Sequence, residues 1–280
     1  MSKPTLTFVT AIVDLARNSW NGFGEIKPKD GFNPNPYQYN KENYLLWFTY
    51  YLNFKVPIII YVDEPYWDDV EYICSRAHNI HLIRIDKEWI LKNIDAWKYF
   101  NQVKGVMESA KFQNIVKHRL QFPNVSVPQY VTNTYTKLDY LEKAISDGLI
   151  KTEYVAWTDF GIFKDPGYHL TSFEINMSHF SPDKIVLPVL HMPTEKDKGV
   201  LYNLQVGPDC FSAGFMAGTP EKIREFNKTF KAIVEYFLKN GLTDVEQHLL
   251  IHCYFQNPAG YNLIYCKGDY RNIYKNLTAN

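Results

Sequence analysis

Tyr154-Val155-Ala156-Trp157-Thr158-Asp159-Phe160-Gly161 joins an apolar run rich in β-branched and aromatic residues to a single carboxylate, with a glycine two positions further on. The run reads as a strand, and the glycine accepts a sharp turn after it. In an open α/β sheet, ligands sit in the crevice beyond the carboxyl ends of the strands, so Asp159 falls where a nucleotide or a metal would be held. An Asp after a strand also makes turns by hydrogen-bonding its own backbone, and these eight residues alone fit both readings.

Upstream, Leu6 to Val13 reads as a buried first strand ending at Asp14-Leu15-Ala16-Arg17, where a doubly wound fold first meets a nucleotide. Arg17 there is a phosphate ligand or an ordinary surface arginine. Asn18 to Asn40 is a long segment rich in Gly, Pro, Asn and aromatics. Lys41 to Phe54 repeats aromatics at helical spacing, and Pro57 to Val62 is a strand without polar interruption, as parallel strands buried on both faces should be. A helix to His78, a third strand at His81 to Asp86, mainly helical pattern over Lys87 to Leu120 and a helix over Lys137 to Ile145 lead back to Tyr154. Alternating strand and helix predicts a mostly parallel sheet with right-handed crossovers, and Asp159 ends roughly its fourth strand.

Downstream, Lys184 to Val189 is a short strand, and Asp209 to Gly218 is rich in small residues ahead of a clear helix over Pro220 to Lys239. Ser212, Ala213 and Gly214 would let backbone approach a ligand closely, or simply pack as strand and turn. No dinucleotide loop and no Walker lysine is present. Gly241 stops the long helix, and Thr243 with Glu246 reads as the capping box of the next. Asp244, His248 and His252 are spaced four apart and share one face, which also suits a metal or substrate. Tyr261 to Cys266 reads as a strand, and Tyr270 to Asn280 as a polar tail.

Lys+Arg and Asp+Glu both number 30 in 280 residues, so no overall positive field recommends nucleic acid or an anionic membrane. Apolar residues make up 46%, enough for a sizeable core, and aromatics 16%, which suits packing against sugar or base rings as well as an ordinary core. Cys74, Cys210, Cys253 and Cys266 form no C-x-x-C pair and read as buried thiols of a reducing compartment. With no signal-peptide pattern and no run long enough to span a bilayer, the expected location is cytoplasmic.

Three features stand in order: Trp157-Thr158-Asp159-Phe160-Gly161, then Phe211 to Gly218, then Thr243-Asp244-Val245-Glu246-Gln247-His248. That order resembles nucleotide-sugar glycosyltransferases of the GT-A fold. More narrowly, Phe8-Val9-Thr10-Ala11 with Asp14 to Arg17, Lys111 within Ser109-Ala110-Lys111-Phe112, and the Trp-x-Asp-Phe-Gly core resemble the bacterial HtrL/YibB family. The resemblance implies a single GT-A-like α/β domain with a Rossmann-type, mostly parallel sheet flanked by helices. Residues 1–160 would form the nucleotide-binding half and 161–280 the acceptor half. It further implies donor binding by Thr10, Ala11, Arg17, Lys111, Asp159 and Gly161, acceptor binding by Trp157, Ser212, Ala213 and Gly214, and a catalytic carboxylate at Asp244 or Glu246. Asp159 stands at the position of the Asp-x-Asp metal motif, but Trp157 and Gly161 leave one carboxylate where two are usual. Mn²⁺ or Mg²⁺ would then be held by Asp159, His252 and the substrate phosphates.

The expected activity is transfer of a sugar from a nucleotide sugar, a UDP-sugar first among them, to a saccharide or other hydroxyl acceptor. Two alternatives are a transferase acting on a modified nucleic-acid base and a catalytically silent protein that binds carbohydrate or a partner.

Overall fold

A computed structural model describes residues 5–15, 41–162, 175–269 and 272–277. In chain order the elements are β1 (Leu6–Ile12), α1 (Lys41–Phe48), β2 (Ile58–Asp63), α2 (Trp67–Cys74), β3 (Ile80–Ile85), α3 (Lys87–Asn93), α4 (Phe100–Glu108), α5 (Ala110–Ile115), α6 (Pro123–Ser126) and α7 (Pro128–Ser146). There follow β4 (Tyr154–Thr158), β5 (Ile185–Val189), α8 (Val200–Val206), β6 (Phe215–Gly218), α9 (Pro220–Lys239), α10 (Glu246–Gln256), β7 (Tyr261–Tyr265) and α11 (Asn272–Leu277). The seven strands form one sheet in the order β3-β2-β1-β4-β6-β5-β7.

Strands β3, β2, β1 and β4 run parallel, and β5 runs parallel to β7. β6 is antiparallel to both its neighbours, pairing Trp157 with Met216 and Val186 with Ala217. The α/β class with a mostly parallel, helix-flanked sheet is as the alternating pattern predicts. Every residue of β2 and β4 is buried, because helices cover both faces, and this accounts for strands with no polar interruption.

Side chains alternate between two cores. Val9, Val155 and Trp157 join one with helices α3 to α10, whereas Leu6, Phe8, Tyr154 and Ala156 join the other with α1, α2 and α11. α9 shows why its helix was legible. Thr219 Oγ1 caps it by accepting from Lys222 N at 3.3 Å, and Pro220 occupies the first turn. Ile223, Phe226, Phe230, Ile233, Val234 and Phe237 then bury one stripe, each contributing about 1.5–3 kcal/mol.

Two expectations are corrected. The helix expected from Lys137 begins at Pro128 and runs for 19 residues, so Lys137 lies in mid-helix. β-branched Val131, Thr132, Thr134 and Thr136 conceal its first half, but burial against the core and hydroxyl bonds such as Thr134 Oγ1 to Val131 O (2.8 Å) hold it helical. The expected polar tail contains α11, whose Ile273, Tyr274 and Leu277 are buried in the second core.

All four cysteines are buried and free, and burial pushes the Cys74, Cys210 and Cys266 thiols up to about 12. Among the described residues no helix is long and apolar enough to cross a membrane.

Candidate functional site

A cavity of about 790 Å³ opens beyond the carboxyl ends of β1 and β4. Chain order departs from spatial order here: β2 lies on one side of β1 and β4 on the other, which makes the crevice a topological switch point. Ala11 to Leu15 wall one side, Trp157 and Asp159 to Ile162 the floor, and Ser212, Ala213 and Gly214 the side leading into β6. Tyr44, Tyr66, Tyr130 and Tyr140 add aromatic surface.

Asp159 leaves β4 with its backbone fixed. Its N–H donates to Gly214 O at 2.9 Å, and its C=O accepts from Tyr51 Oη at 2.5 Å. Behind it, buried hydroxyls of Tyr51, Thr158 and Tyr274 form a chain that ties this corner to α11. The carboxylate accepts from Trp157 Nε1 at 2.6 Å and from Lys137 Nζ at 2.8 and 3.0 Å. It therefore faces other side chains, and the alternative in which it bonds only its own turn is not the one adopted.

Lys137 is the residue the sequence reading missed. α7 brings its Nζ between Asp159 and Glu246, 2.7 Å from Glu246 Oε1, with Ala213 O at 3.1 Å as a further acceptor. Its three N–H donors thus have partners just past β4, on α10 and on the approach to β6. Burial alone would lower its pKa, but the Asp159 and Glu246 carboxylates outweigh burial and raise it. A signal was present: Thr134, Lys137, Leu141 and Ala144 fall on one helical stripe, all four buried, and a lysine on a buried stripe needs an anionic partner.

Glu246 owes its place to the turn before α10. Thr243 does not cap this helix through its side chain; the helix starts at Glu246, whose N–H donates to Thr134 Oγ1 of α7 at 3.3 Å. Tyr135 Oη donates to Asp244 O at 2.6 Å, so two adjacent α7 residues pin the turn one helical turn from Lys137. Glu246 lines the cavity, with its Oε1 paired to Lys137.

Asp244 does not line the cavity. Its Oδ1 accepts from Val245 N at 2.9 Å and pairs with His248 Nδ1 at 2.7 Å, while Arg119 Nη1 stands 3.9 Å from Oδ2. Of the two carboxylates expected to be catalytic, only Glu246 faces the cavity; Asp244 anchors the helix start. The shared-face spacing does bring His252 toward this cluster, where its Nε2 lies 3.2 Å from Asn203 Nδ2 and its ring packs on Phe237. Burial holds His252 below its ordinary value.

The expected metal pair is not brought together. His252 follows Glu246 by six residues, about 9 Å along the helix axis and on another side of it, and it does not line the cavity. Among the described residues no group of three or more His, Cys, Asp or Glu is arranged to hold a metal ion. Asp159 already accepts hydrogen bonds from Trp157 Nε1 at Oδ1 and from Lys137 Nζ at Oδ2, and the ammonium also stands 2.8 Å from Oδ1. As placed, Asp159 and His252 do not make the expected pair for Mn²⁺ or Mg²⁺.

Of the other expected residues, Ala11, Trp157, Gly161, Ser212, Ala213 and Gly214 line the cavity, whereas Thr10 is buried within β1 and Lys111 is exposed on α5 away from it. Arg17 lies outside the described residues. The small residues have a visible use. A Cβ on Gly161 would meet the Tyr44 ring at 2.6 Å, and one on Gly214 would meet Ile162 Cδ1 at 2.8 Å. Both lysines of the wall are already engaged, Lys41 by Asp69 and by Pro65 O at 2.9 Å.

Residues 4–279 match the family described as "Bacterial protein of unknown function (HtrL_YibB)". The chain is also similar to Protein HtrL of Escherichia coli (strain K12), with 24% identity over 290 residues, 99% of this chain and 94% of that protein.

Proposed function

The chain belongs to the HtrL_YibB family, and from that premise we propose that it is a glycosyltransferase that moves a sugar from a nucleotide sugar to an acceptor hydroxyl. The observation that carries the reading is the Asp159–Lys137–Glu246 triad, set at the switch point of the sheet in a cavity walled by aromatic rings. The cavity volume suits a ligand of nucleotide-sugar size. Carboxylates fixed at its floor suit sugar or ribose hydroxyls, which donate hydrogen bonds, and tyrosine and tryptophan faces suit sugar and base rings.

In the reaction, the bond from the anomeric carbon to the diphosphate breaks with its electron pair leaving on the phosphate oxygen. The acceptor oxygen bonds to that carbon, and its proton passes to a carboxylate, for which Glu246 is the candidate. Asp159 orients the donor through its hydroxyls. The counter-charge for the leaving diphosphate is assigned to Arg17, on sequence grounds.

The engagement of both wall lysines favours a second reading, a silent carbohydrate binder, because neither offers an uncommitted charge to a leaving group. Donor hydrolysis separates the two. Incubation with UDP-, GDP- and CMP-sugars, read by chromatography, should release free sugar from one of them at a rate that Glu246→Gln lowers by about 10²–10⁴-fold. Binding without any sugar release would favour the silent binder.

A further inference from the structure

We propose that the Asp159–Glu246 pair is a cation hole filled by the chain's own ammonium, Lys137 Nζ, and that sugar transfer in this cavity runs without a divalent ion. The consequence for transfer rests on the function proposed above.

Four oxygens from three residues surround Nζ within 3.1 Å: Asp159 Oδ1 and Oδ2, Glu246 Oε1 and Ala213 O. Two carboxylates and a carbonyl make the oxygen set a hard divalent ion takes. The ammonium cannot step aside easily, because Lys137 is in the middle of a 19-residue helix and its side chain is only 11% exposed. A divalent ion on the remaining face of Asp159 would lie within about 5.6 Å of Nζ, given metal–oxygen distances of 2.0–2.6 Å. That puts like charges side by side next to the buried Lys137 and Glu246 side chains, where solvent reaching Asp159 screens them only in part. Trp157 Nε1 occupies another lone pair of the same carboxylate at 2.6 Å, which narrows the approach further.

A single carboxylate then suffices at the end of β4. With Lys137 supplying the charge, a second acid at position 157 has no ion to bind, and Trp157 can instead hold Asp159 and face Tyr140 across 6.1 Å. The three groups carry a net charge of minus one, one less negative than two bare carboxylates would leave beside a diphosphate.

Titration of the full-length protein with MnCl₂ alone, followed by loss of the free Mn²⁺ EPR signal, tests this without any sugar donor. Wild type should take up no Mn²⁺ that depends on Asp159. Lys137→Ala should bind one Mn²⁺ per chain, at least about tenfold more tightly than any residual uptake by wild type, and adding Asp159→Asn should abolish that gain. Ethylammonium chloride, which restores an ammonium to the hole, should compete with Mn²⁺ and raise the thermal midpoint of Lys137→Ala while leaving wild type unchanged. Should Lys137→Ala not fold unaided, refolding by Mn²⁺ or ethylammonium is the expected result. Wild-type uptake of Mn²⁺ lost in Asp159→Asn would overturn the proposal, as would a Lys137→Ala chain that neither ion binds or restores. A failed search for a sugar donor would leave these readings untouched and count only against the glycosyltransferase assignment.

Discussion

Replacing Lys137 by methionine removes the ammonium while keeping much of the stem, and leaves two carboxylates facing each other. Breaking a buried ion pair by deleting one partner costs roughly 3–5 kcal/mol, because the remaining charge is uncompensated. The side chains of Lys137 and Glu246 are 11% and 8% exposed, but that of Asp159 is 38% exposed and regains part of its hydration. The lower end, about 3 kcal/mol, is therefore expected. In a chain of this size that corresponds to a fall of roughly 6–12 °C in the thermal midpoint. Urea unfolding measures it directly, as a lower midpoint at unchanged slope. Adding Glu246→Gln should restore about 1–2 kcal/mol, because the two sites share one contact. The Lys137 pKa is raised in the fold, so its contribution is fully present below the unfolded value of 10.5 and disappears as pH rises through the higher folded value. The gap between wild type and variant should accordingly hold steady from neutral pH to the edge of that range. A Lys137→Met cost below about 0.5 kcal/mol, or one that simply adds to that of Glu246→Gln, would refute the buried triad.

Gly161→Ala would drive a Cβ to 2.6 Å from the Tyr44 ring, which packs against Trp47, so a loss of about 1–3 kcal/mol is expected in urea unfolding; an unchanged midpoint would show that the ring is not held there. His252 is held below its ordinary 6.5 by burial, so the unfolded chain takes up the proton first as pH falls. Stability should drop as pH passes downward through that value, and His252→Gln should reduce the slope. Equal slopes for the two proteins just below that pH would count against the buried, neutral imidazole.

Much of the fold was legible because β1, β2 and β4 are buried on both faces and therefore carry uninterrupted apolar runs. The position of Asp159 followed from the same run, and the small residues at 212–214 pointed to the right wall. What escaped depended on contacts between distant segments. The first half of α7 is rich in threonine and weak in apolar periodicity, so the helix was read only from Lys137 onward, and that lysine's mid-helix place facing the cavity was missed. The turn at Thr243 to Glu246 satisfies a capping pattern in sequence, yet α7 holds it through Thr134 and Tyr135, more than a hundred residues away. That long-range hold turns Glu246 to the cavity and Asp244 to the interior. α11 has only three buried residues among polar ones, too few to mark a helix. The reversed direction of β6 is set by its pairing with β4 and β5, which spacing alone does not encode.

The most direct test of the account is saturation-transfer NMR of the protein against UDP-, GDP- and CMP-sugars, comparing wild type with Asp159→Ala. The account predicts that at least one nucleotide sugar receives saturation on its sugar or ribose protons in wild type, and that Asp159→Ala abolishes this while the protein remains folded. No transfer to any of the three classes, or transfer that survives in Asp159→Ala undiminished, would contradict it.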